Sequence, residues 1–336
     1  MSYPWIIFAL AGAVLIWFLI EKARRRTHPV SGGLQRDILL PHSAEFELYA
    51  NAFSHCSRKV RLVLAECGVP YTYHQIDLIE TGRYETISAR YLKINPSGLV
   101  PTLVHNGHPI YESDGVLTYV AEHASADRPS LVPADLEARA RMEEWVAGGV
   151  ISSDDPMASM ATRPGSCIPG LTLPIFVTAI RYIPLRRILV GFLFHPDKRR
   201  PAFFTASRLF GLRTMLGQKP LQQVMHQSRD HMRAHLERLS AHLRDTGGPW
   251  IMGGQYTLAD VTWSCMLLRI SETGWLAHFA EDKTLAPVLA YFDALQARPS
   301  WQEAITDKRH PIVEKAEADL KVAIANDTKV ARALFS

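Results

Sequence analysis

The run Asn95-Pro96-Ser97-Gly98-Leu99-Val100-Pro101-Thr102-Leu103-Val104, with Glu112-Ser113-Asp114-Gly115 shortly after it, constrains this chain more than any other segment. Proline cannot donate to a sheet ladder, so a Val-Pro ahead of a short apolar strand marks a strand's first residue or an edge. An X-Pro bond at such a place can be cis. The Glu-Ser that follows opens a helical pattern over Val116, Leu117, Tyr119 and Val120, with Ser113 expected as its N-cap. Free backbone N–H groups and a hydroxyl at a helix start suit a carboxylate. Together these features describe a pocket for a small peptide. Backbone groups at Val100 would pair with it, and a helix N-terminus would take its acid end.

A chain of 336 residues holds two domains beyond any anchor. The formal net charge of +4 is too small to argue for nucleic acid, and no zinc-finger, RNA-binding or helix-turn-helix signature appears, so no nucleic-acid partner is expected. The four cysteines, Cys56, Cys67, Cys167 and Cys265, are spaced too widely for a metal-site pattern. They read as reduced thiols, with no metal expected.

Residues 1–26 read as a transmembrane anchor with a basic flank. Pro4 to Ile20 is almost unbroken apolar sequence, near the lower limit of the roughly 17–25 residues that span a bilayer. Tyr3, Trp5 and Trp17 suit the interfaces. Lys22, Arg24, Arg25 and Arg26 follow at once. A signal peptide has its charge before the apolar run and a small-residue cleavage site after it, the reverse of this order. The positive-inside rule then places the N-terminus outside and everything after Lys22 in the cytoplasm, as a single-pass membrane protein. Residues 27–44, with Pro29, Gly32, Gly33 and Pro41, read as a linker.

Residues 45–125 form the first folded domain. Phe46–Ala50 alternates like a half-buried strand, and a polar turn through Ser57 leads into a helix from Arg58 to Cys67, capped by Gly68. A strand is expected over 71–77 and a short helix within 84–94. A hairpin turning on Asn106-Gly107 and a helix over 113–123 complete the domain. The order β-α-β-α-β-β-α implies a mixed sheet with helices on its faces. With a Val-Pro before the third strand, this is the thioredoxin-like arrangement. Ser54-His55-Cys56-Ser57-Arg58-Lys59-Val60-Arg61, Asn95-Pro96-x-Gly98-x-Val100-Pro101-x-Leu103 and Glu112-Ser113 stand in the order and spacing of glutathione S-transferases, whose N-terminal domain this segment resembles.

The resemblance implies glutathione as co-substrate. It places Ser54 at the catalytic position before the first helix, donating to the glutathione thiolate. A free thiol titrates near pH 8.5, and a helix N-terminus together with a hydrogen-bond donor lowers that value. The resemblance assigns the backbone of Val100, beside cis Pro101, to the cysteinyl amide of glutathione. Glu112 would pair with the ammonium of its γ-glutamyl end and Ser113 with the carboxylate there. Lys93 and Arg83 are candidates for the glycyl carboxylate. Cys56, two residues beyond Ser54, could instead form a mixed disulfide with glutathione. Ser54 or Ser57 also fits a simple N-cap, Cys56 a small buried apolar residue, and His55 a surface histidine or a group tuning the site's charge.

Residues 135–310 read as a helical domain resembling the same family's C-terminal half. Leu136–Val150 reads as a helix and Val224–Leu243 as a long amphipathic one, and Thr257-x-x-Asp260 is a capping box; the same box opens a core helix in the family this half resembles, and the resemblance implies that Asp260 is structural. An insertion over 152–220 carries Pro156, Pro164, Pro169, Pro174 and Pro184, the apolar runs Ile175-Phe176-Val177 and Ile188–Phe194, and a basic set from Arg181 to Arg200. That composition suits a segment lying on anionic lipid, a lining for an electrophile pocket, or a dimer surface. Residues 311–336 read as a polar helical tail. The fold expected is therefore α/β plus all-α: a thioredoxin-like domain, then a helical one, behind one transmembrane helix.

The function expected is conjugation of glutathione to a small apolar electrophile at the cytoplasmic membrane face, with membrane lipid as a partner. The resemblance also implies a homodimer, whose surface the insertion could block. Two other readings stand beside this one: a non-catalytic membrane or binding protein on the same fold, and a glutathione-dependent thiol-disulfide oxidoreductase using Cys56.

Overall fold

A computed structural model describes residues 4–151 and 156–336. Helix α1 (Pro4–Arg24) is apolar around its circumference and exposed from Trp5 through Ile20 in all but a few positions. It is long and apolar enough to cross a bilayer. Near its end Phe18 and the following Arg25 reach Phe194 of the body.

Five strands form one sheet in the order β1-β5-β4-β2-β3. Strand β1 is Gly33–Leu34, β2 Phe46–Ala50, β3 Thr72–Gln75, β4 Thr102–His105 and β5 His108–Tyr111. Strands β2 and β3 run parallel, joined by helix α2 (His55–Glu66), and the other pairs are antiparallel. Asn106 and Gly107 both take positive φ (48° and 84°), the backbone a type I′ hairpin turn needs. The Val100–Pro101 peptide bond is cis. Helix α3 (Ser113–Ala121) follows β5.

Three details of this half differ from the sequence reading. The stretch expected as a linker supplies β1, because β5 otherwise leaves an edge unpaired. Gly33 pairs with Tyr111 and Leu34 with Ile110, and Gly33 enters at φ +85°. The helix expected within 84–94 is instead two 3-10 turns, Glu85–Ile87 and Tyr91–Lys93. Between them the Ser88 hydroxyl accepts the Tyr91 N–H at 3.1 Å and competes with helical bonding. Ser113 is the first helical residue of α3 and not its cap. The cap position belongs to Glu112, at φ +65° and without a side-chain cap bond.

The second half is helical: α4 (Leu136–Gly148), α5 (Pro156–Ser159), α6 (Ile168–Ala179), α7 (Leu185–Phe194), α8 (Arg199–Leu216), α9 (Lys219–Thr246), α10 (Leu258–Glu272), α11 (Trp275–Phe279), α12 (Ala286–Gln296), α13 (Pro299–Ala304), α14 (Pro311–Asn326) and α15 (Thr328–Phe335). Helix α10 lies at the centre, almost wholly buried. Its fully buried Asp260 accepts the N–H groups of Ile251 (2.9 Å) and Thr257 (2.8 Å) and the Tyr291 hydroxyl (2.8 Å). The capping box thus fastens α10 to the preceding loop and to α12.

The insertion and the tail also differ from their readings. Ile175 and Val177 are core residues of α6, which packs on α8, α9, α10 and α14, so that run does not face lipid. Helix α7 turns an apolar face outward, with Leu185, Leu189, Phe192 and Leu193 exposed at helical spacing while Ile188 and Gly191 point inward, and Leu209 and Phe210 of α8 are exposed as well. The tail is not a polar appendage. Val313, Ala316 and Leu320 of α14 and Val330 and Leu334 of α15 are buried against α6, α8 and α9.

At the start of β2, buried Glu47 accepts from the Ser43 N–H (2.7 Å), the Ser43 hydroxyl (2.8 Å) and the Tyr49 hydroxyl (3.0 Å). Burial pushes this carboxyl up, but those bonds and nearby His74 outweigh it and bring it from 4.5 to about 2. A depressed carboxyl adds stability above its unfolded value and loses it as pH falls through its folded one. Urea midpoints of the wild type should therefore fall between pH 4.5 and about 2 more steeply than those of Glu47→Gln. Equal slopes would contradict this assignment.

Candidate active site

The site begins where β2 ends. Asn51 closes the turn with its own side chain, its Oδ1 accepting the Phe53 N–H at 2.8 Å. Its Nδ2 donates to the Ile76 carbonyl (2.8 Å) and the Thr81 hydroxyl (2.9 Å). Three buried guanidiniums then take the next three carbonyls in succession. Arg61 Nη1 donates to Asn51 O at 3.1 Å and Arg58 Nε to Ala52 O at 3.1 Å, while Arg269 Nη2 donates to Phe53 O. The loop that delivers Ser54 is thus held by charged donors from α2 and α10.

Ser54 caps α2, its Oγ accepting the Ser57 N–H at 3.3 Å. That bond uses a lone pair and leaves the hydroxyl proton free to donate. Both readings of Ser54, cap and thiol-directed donor, are therefore compatible in one side chain.

Around this turn the charges are arranged in pairs with a surplus of cations. Arg58 meets Glu272 of α10 through two bonds, 2.9 and 2.6 Å, with both side chains buried. Burial works against the charge on Arg58, and Glu272 more than restores it. Lys59, buried in the first turns of α2, reaches Asp114 of α3 at 2.5 Å. His55 is buried, which corrects its reading as a surface residue, and burial holds its imidazole well below its ordinary pKa. Burial pushes the Cys67, Cys167 and Cys265 thiols up to about 12, so these three stay protonated and inert near neutral pH.

A cavity of about 520 Å3 opens over the N-terminus of α2. Ser54, Cys56 and Val100 all line it. Its walls are mostly apolar: Phe53, Ile79, Tyr84 and Ile87 from the first half, and Ile168 and Phe176 from the second. The structure does not bring all the expected site residues to this wall. Pro101 is buried behind it. Glu112 and Ser113 lie outside the lining, at the start of α3, and connect to the site through the neighbouring Asp114–Lys59 pair. Glu112 is exposed, and a Cβ on Gly32 would meet its Cγ at 3.1 Å, so the segment leading from α1 into β1 runs against it. Arg83 pairs with Asp77 and Glu85 outside the cavity. Lys93 lines a separate surface groove with Arg24, Arg26, His28 and Arg90 at the foot of α1. Among the described residues no cluster of three or more His, Cys, Asp or Glu could hold a metal ion.

Sequence reasoning gave no site role to Glu80, His195 or Arg269 of the cavity wall, while Arg200 falls in the insertion it offered as an electrophile-pocket lining. Arg200 bonds fully buried Glu80 at 2.6 Å across a separation of 120 residues, a pairing no local pattern announces.

Comparison with known proteins places this geometry in a family. Residues 53–123 match the model of the glutathione S-transferase N-terminal domain and residues 222–313 that of the C-terminal domain. Over 271 residues the chain is 25% identical to a tetrachloro-p-hydroquinone reductive dehalogenase of Sphingobium chlorophenolicum, covering 77% of this chain and 95% of that one. A zeta-class glutathione S-transferase of Euphorbia esula is 33% identical over 121 residues, 36% of this chain. The chain spans about half the length of that relative. Among solved structures, the β-etherase LigF from Sphingobium sp. strain SYK-6 superposes with a TM-score of 0.61 at 19% identity, over 79% of this chain and all of the other. Glutathione transferase Omega 3C from Trametes versicolor does so with 0.53 at 20% identity, over 85% and 94%. The chain belongs to the glutathione S-transferase superfamily. Its homologues are glutathione transferases and related enzymes that use glutathione as co-substrate.

The Lys59–Asp114 pair couples the two helix starts that the glutathione assignment needs. Asp114→Asn leaves a buried ammonium without its carboxylate and should cost about 3 kcal/mol of unfolding free energy. The double variant Lys59→Met/Asp114→Asn should recover most of that loss in the same urea titration. A single variant as stable as wild type would remove the coupling.

Proposed function

We propose that the protein conjugates glutathione to an apolar electrophile at the cytoplasmic face of a membrane, anchored by α1 with its N-terminus outside. The observation that carries this reading is the cavity itself: Ser54, Cys56 and Val100 line an otherwise mostly apolar chamber at a helix N-terminus. Glutathione would lie along the backbone at Val100, with its γ-glutamyl end toward Glu112 and Ser113. Its sulfur would sit at the α2 N-terminus.

The chemistry follows from that placement. The helix N-terminus carries partial positive charge, and the Ser54 hydroxyl has a proton to donate, so the thiolate is favoured over the thiol. The thiol proton leaves to solvent. The thiolate attacks an electrophilic carbon of the second substrate, a C–S bond forms, and the leaving group departs with its electron pair. The apolar walls hold that substrate and exclude water from the reacting atoms.

The membrane part of the proposal rests on how α1 meets the body. Phe18 of α1 lies 5.8 Å from Phe194 at the end of α7, and the Arg25 guanidinium stands over the Phe194 ring at 4.5 Å. This contact puts the exposed apolar face of α7 beside the end of the anchor. The groove of Arg24, Arg26, Arg90 and Lys93 lies at the same level and suits anionic headgroups. Thr27 lines the reaction cavity, so its wall begins one residue past the basic flank of the anchor. A lipid-dissolved substrate therefore has a short route in.

A second reading has its own support. Cys56 is half-buried, stands in the first turn of α2 and faces the cavity, a setting that suits thiol-disulfide exchange with glutathione. Full-length protein in lipid vesicles, assayed with an aryl halide, separates the two. Ser54→Ala should lower kcat/KM for conjugation about 100-fold, the order found for loss of one donor to a developing or stabilised anion. Cys56→Ala should leave conjugation largely intact. If Cys56→Ala abolishes turnover and Ser54→Ala does not, the oxidoreductase reading replaces the transferase one.

A further inference from the structure

Among the described residues the cavity wall holds one cation that its carboxylate neighbours do not neutralise. Arg269 of α10 is 2% exposed. Its Nη2 donates to Phe53 O, and its guanidinium stacks over the Phe53 ring at 3.9 Å. Its Nε has no hydrogen-bond partner, and its Nη1 lies 3.5 Å from Glu272 without bonding geometry. Glu272 is already committed to Arg58 through both oxygens. Two guanidiniums therefore share one carboxylate. The next acid in the wall, Glu80, bonds Arg200 through one oxygen, while its other oxygen is buried without a hydrogen bond and acts on Arg269 only through space.

His55 lines the same cavity and is buried, with neither ring nitrogen in good hydrogen-bond geometry and the Cys265 backbone as the polar group beside it. A neutral imidazole offers one donor and one acceptor. A buried cation short of a counter-charge and a buried imidazole thus face a space whose walls are mostly apolar, with Glu80, His195 and Arg200 as the other titratable groups in them. Leaving such groups unpaired is unfavourable, and an anion with apolar bulk behind it would satisfy both.

We infer that Arg269 and His55 form an anion subsite for the second substrate, an apolar, ring-bearing molecule carrying a carboxylate or phenolate oxygen. The oxygen accepts from the Arg269 guanidinium and from the His55 N–H, while the ring system lies against Phe53, Ile168 and Phe176. This deepens the transferase reading and rests on it for the word substrate. The recognition chemistry is independent of which electrophile reacts. It also orients the substrate, because only one end of an otherwise apolar molecule can meet the arginine.

The test uses the full-length protein in detergent micelles, with free ligand fixed by equilibrium dialysis. The probes are 2-naphthoate and its neutral isostere 2-naphthamide. The expected result is at least tenfold tighter binding of the acid, with the preference lost in Arg269→Met. Equal affinity of the two probes for wild type, no binding of the acid, or an unchanged preference in Arg269→Met would each overturn the subsite. Should Arg269→Met fail to fold, the wild-type comparison alone decides. Glutathione titrated into the wild-type protein is a separate reading. Its failure with the acid preference intact removes the transferase proposal, and the reverse removes only the subsite.

Discussion

The buried ion pair between Arg58 and Glu272 is the interaction on which the arrangement of this molecule depends. It joins the first turn of α2, in the sheet domain, to the end of α10, the central helix of the other domain. A buried pair of this kind adds little net stability over an apolar replacement, but breaking one side of it costs about 3–5 kcal/mol. Its effect is therefore on geometry: the two domains have one low-energy way to meet. Arg61 extends the link by donating to the Ala304 carbonyl at 2.7 Å, and Glu66 ends it by accepting Arg298 through two bonds of 2.6 and 2.5 Å. Helix α2 is thereby fixed to the helical domain at its start, middle and end.

The same guanidiniums that join the domains also build the site. Arg58, Arg61 and Arg269 take the carbonyls of Ala52, Asn51 and Phe53, so the loop before Ser54 has little freedom to move. A preorganised donor and helix terminus stabilise a thiolate without reorganising at the moment of reaction. Domain packing and thiolate chemistry are in this sense one structure. The cation surplus that results is also what leaves Arg269 available to a ligand.

Much of the first domain was legible in the sequence because its signals are local. Alternation gave β2, Asn106-Gly107 gave the hairpin, and Val100-Pro101 marked the entry to β4. The Thr257–Asp260 box was legible for the same reason: both partners lie within one turn. The errors have a common cause in long-range pairing. Gly33–Leu34 becomes a strand only because β5 offers an open edge, and the tail becomes core only because α6, α8 and α9 leave an apolar surface for it. His55 was read as a surface residue since nothing nearby in sequence shows that α10 covers it. Arg269 lies 216 positions from the carbonyl it holds, and it could not be assigned to the site before the domains were seen together.

The proposed chemistry depends on the α2 N-terminus and Ser54 stabilising a glutathione thiolate. The most direct test is the ultraviolet absorbance of the thiolate of protein-bound glutathione, followed as a function of pH on the full-length protein. The expected result is an apparent pKa clearly below the free-thiol value of about 8.5, returning toward it in Ser54→Ala. A bound thiol that titrates at or above the free value would contradict the claim, whatever else the cavity binds.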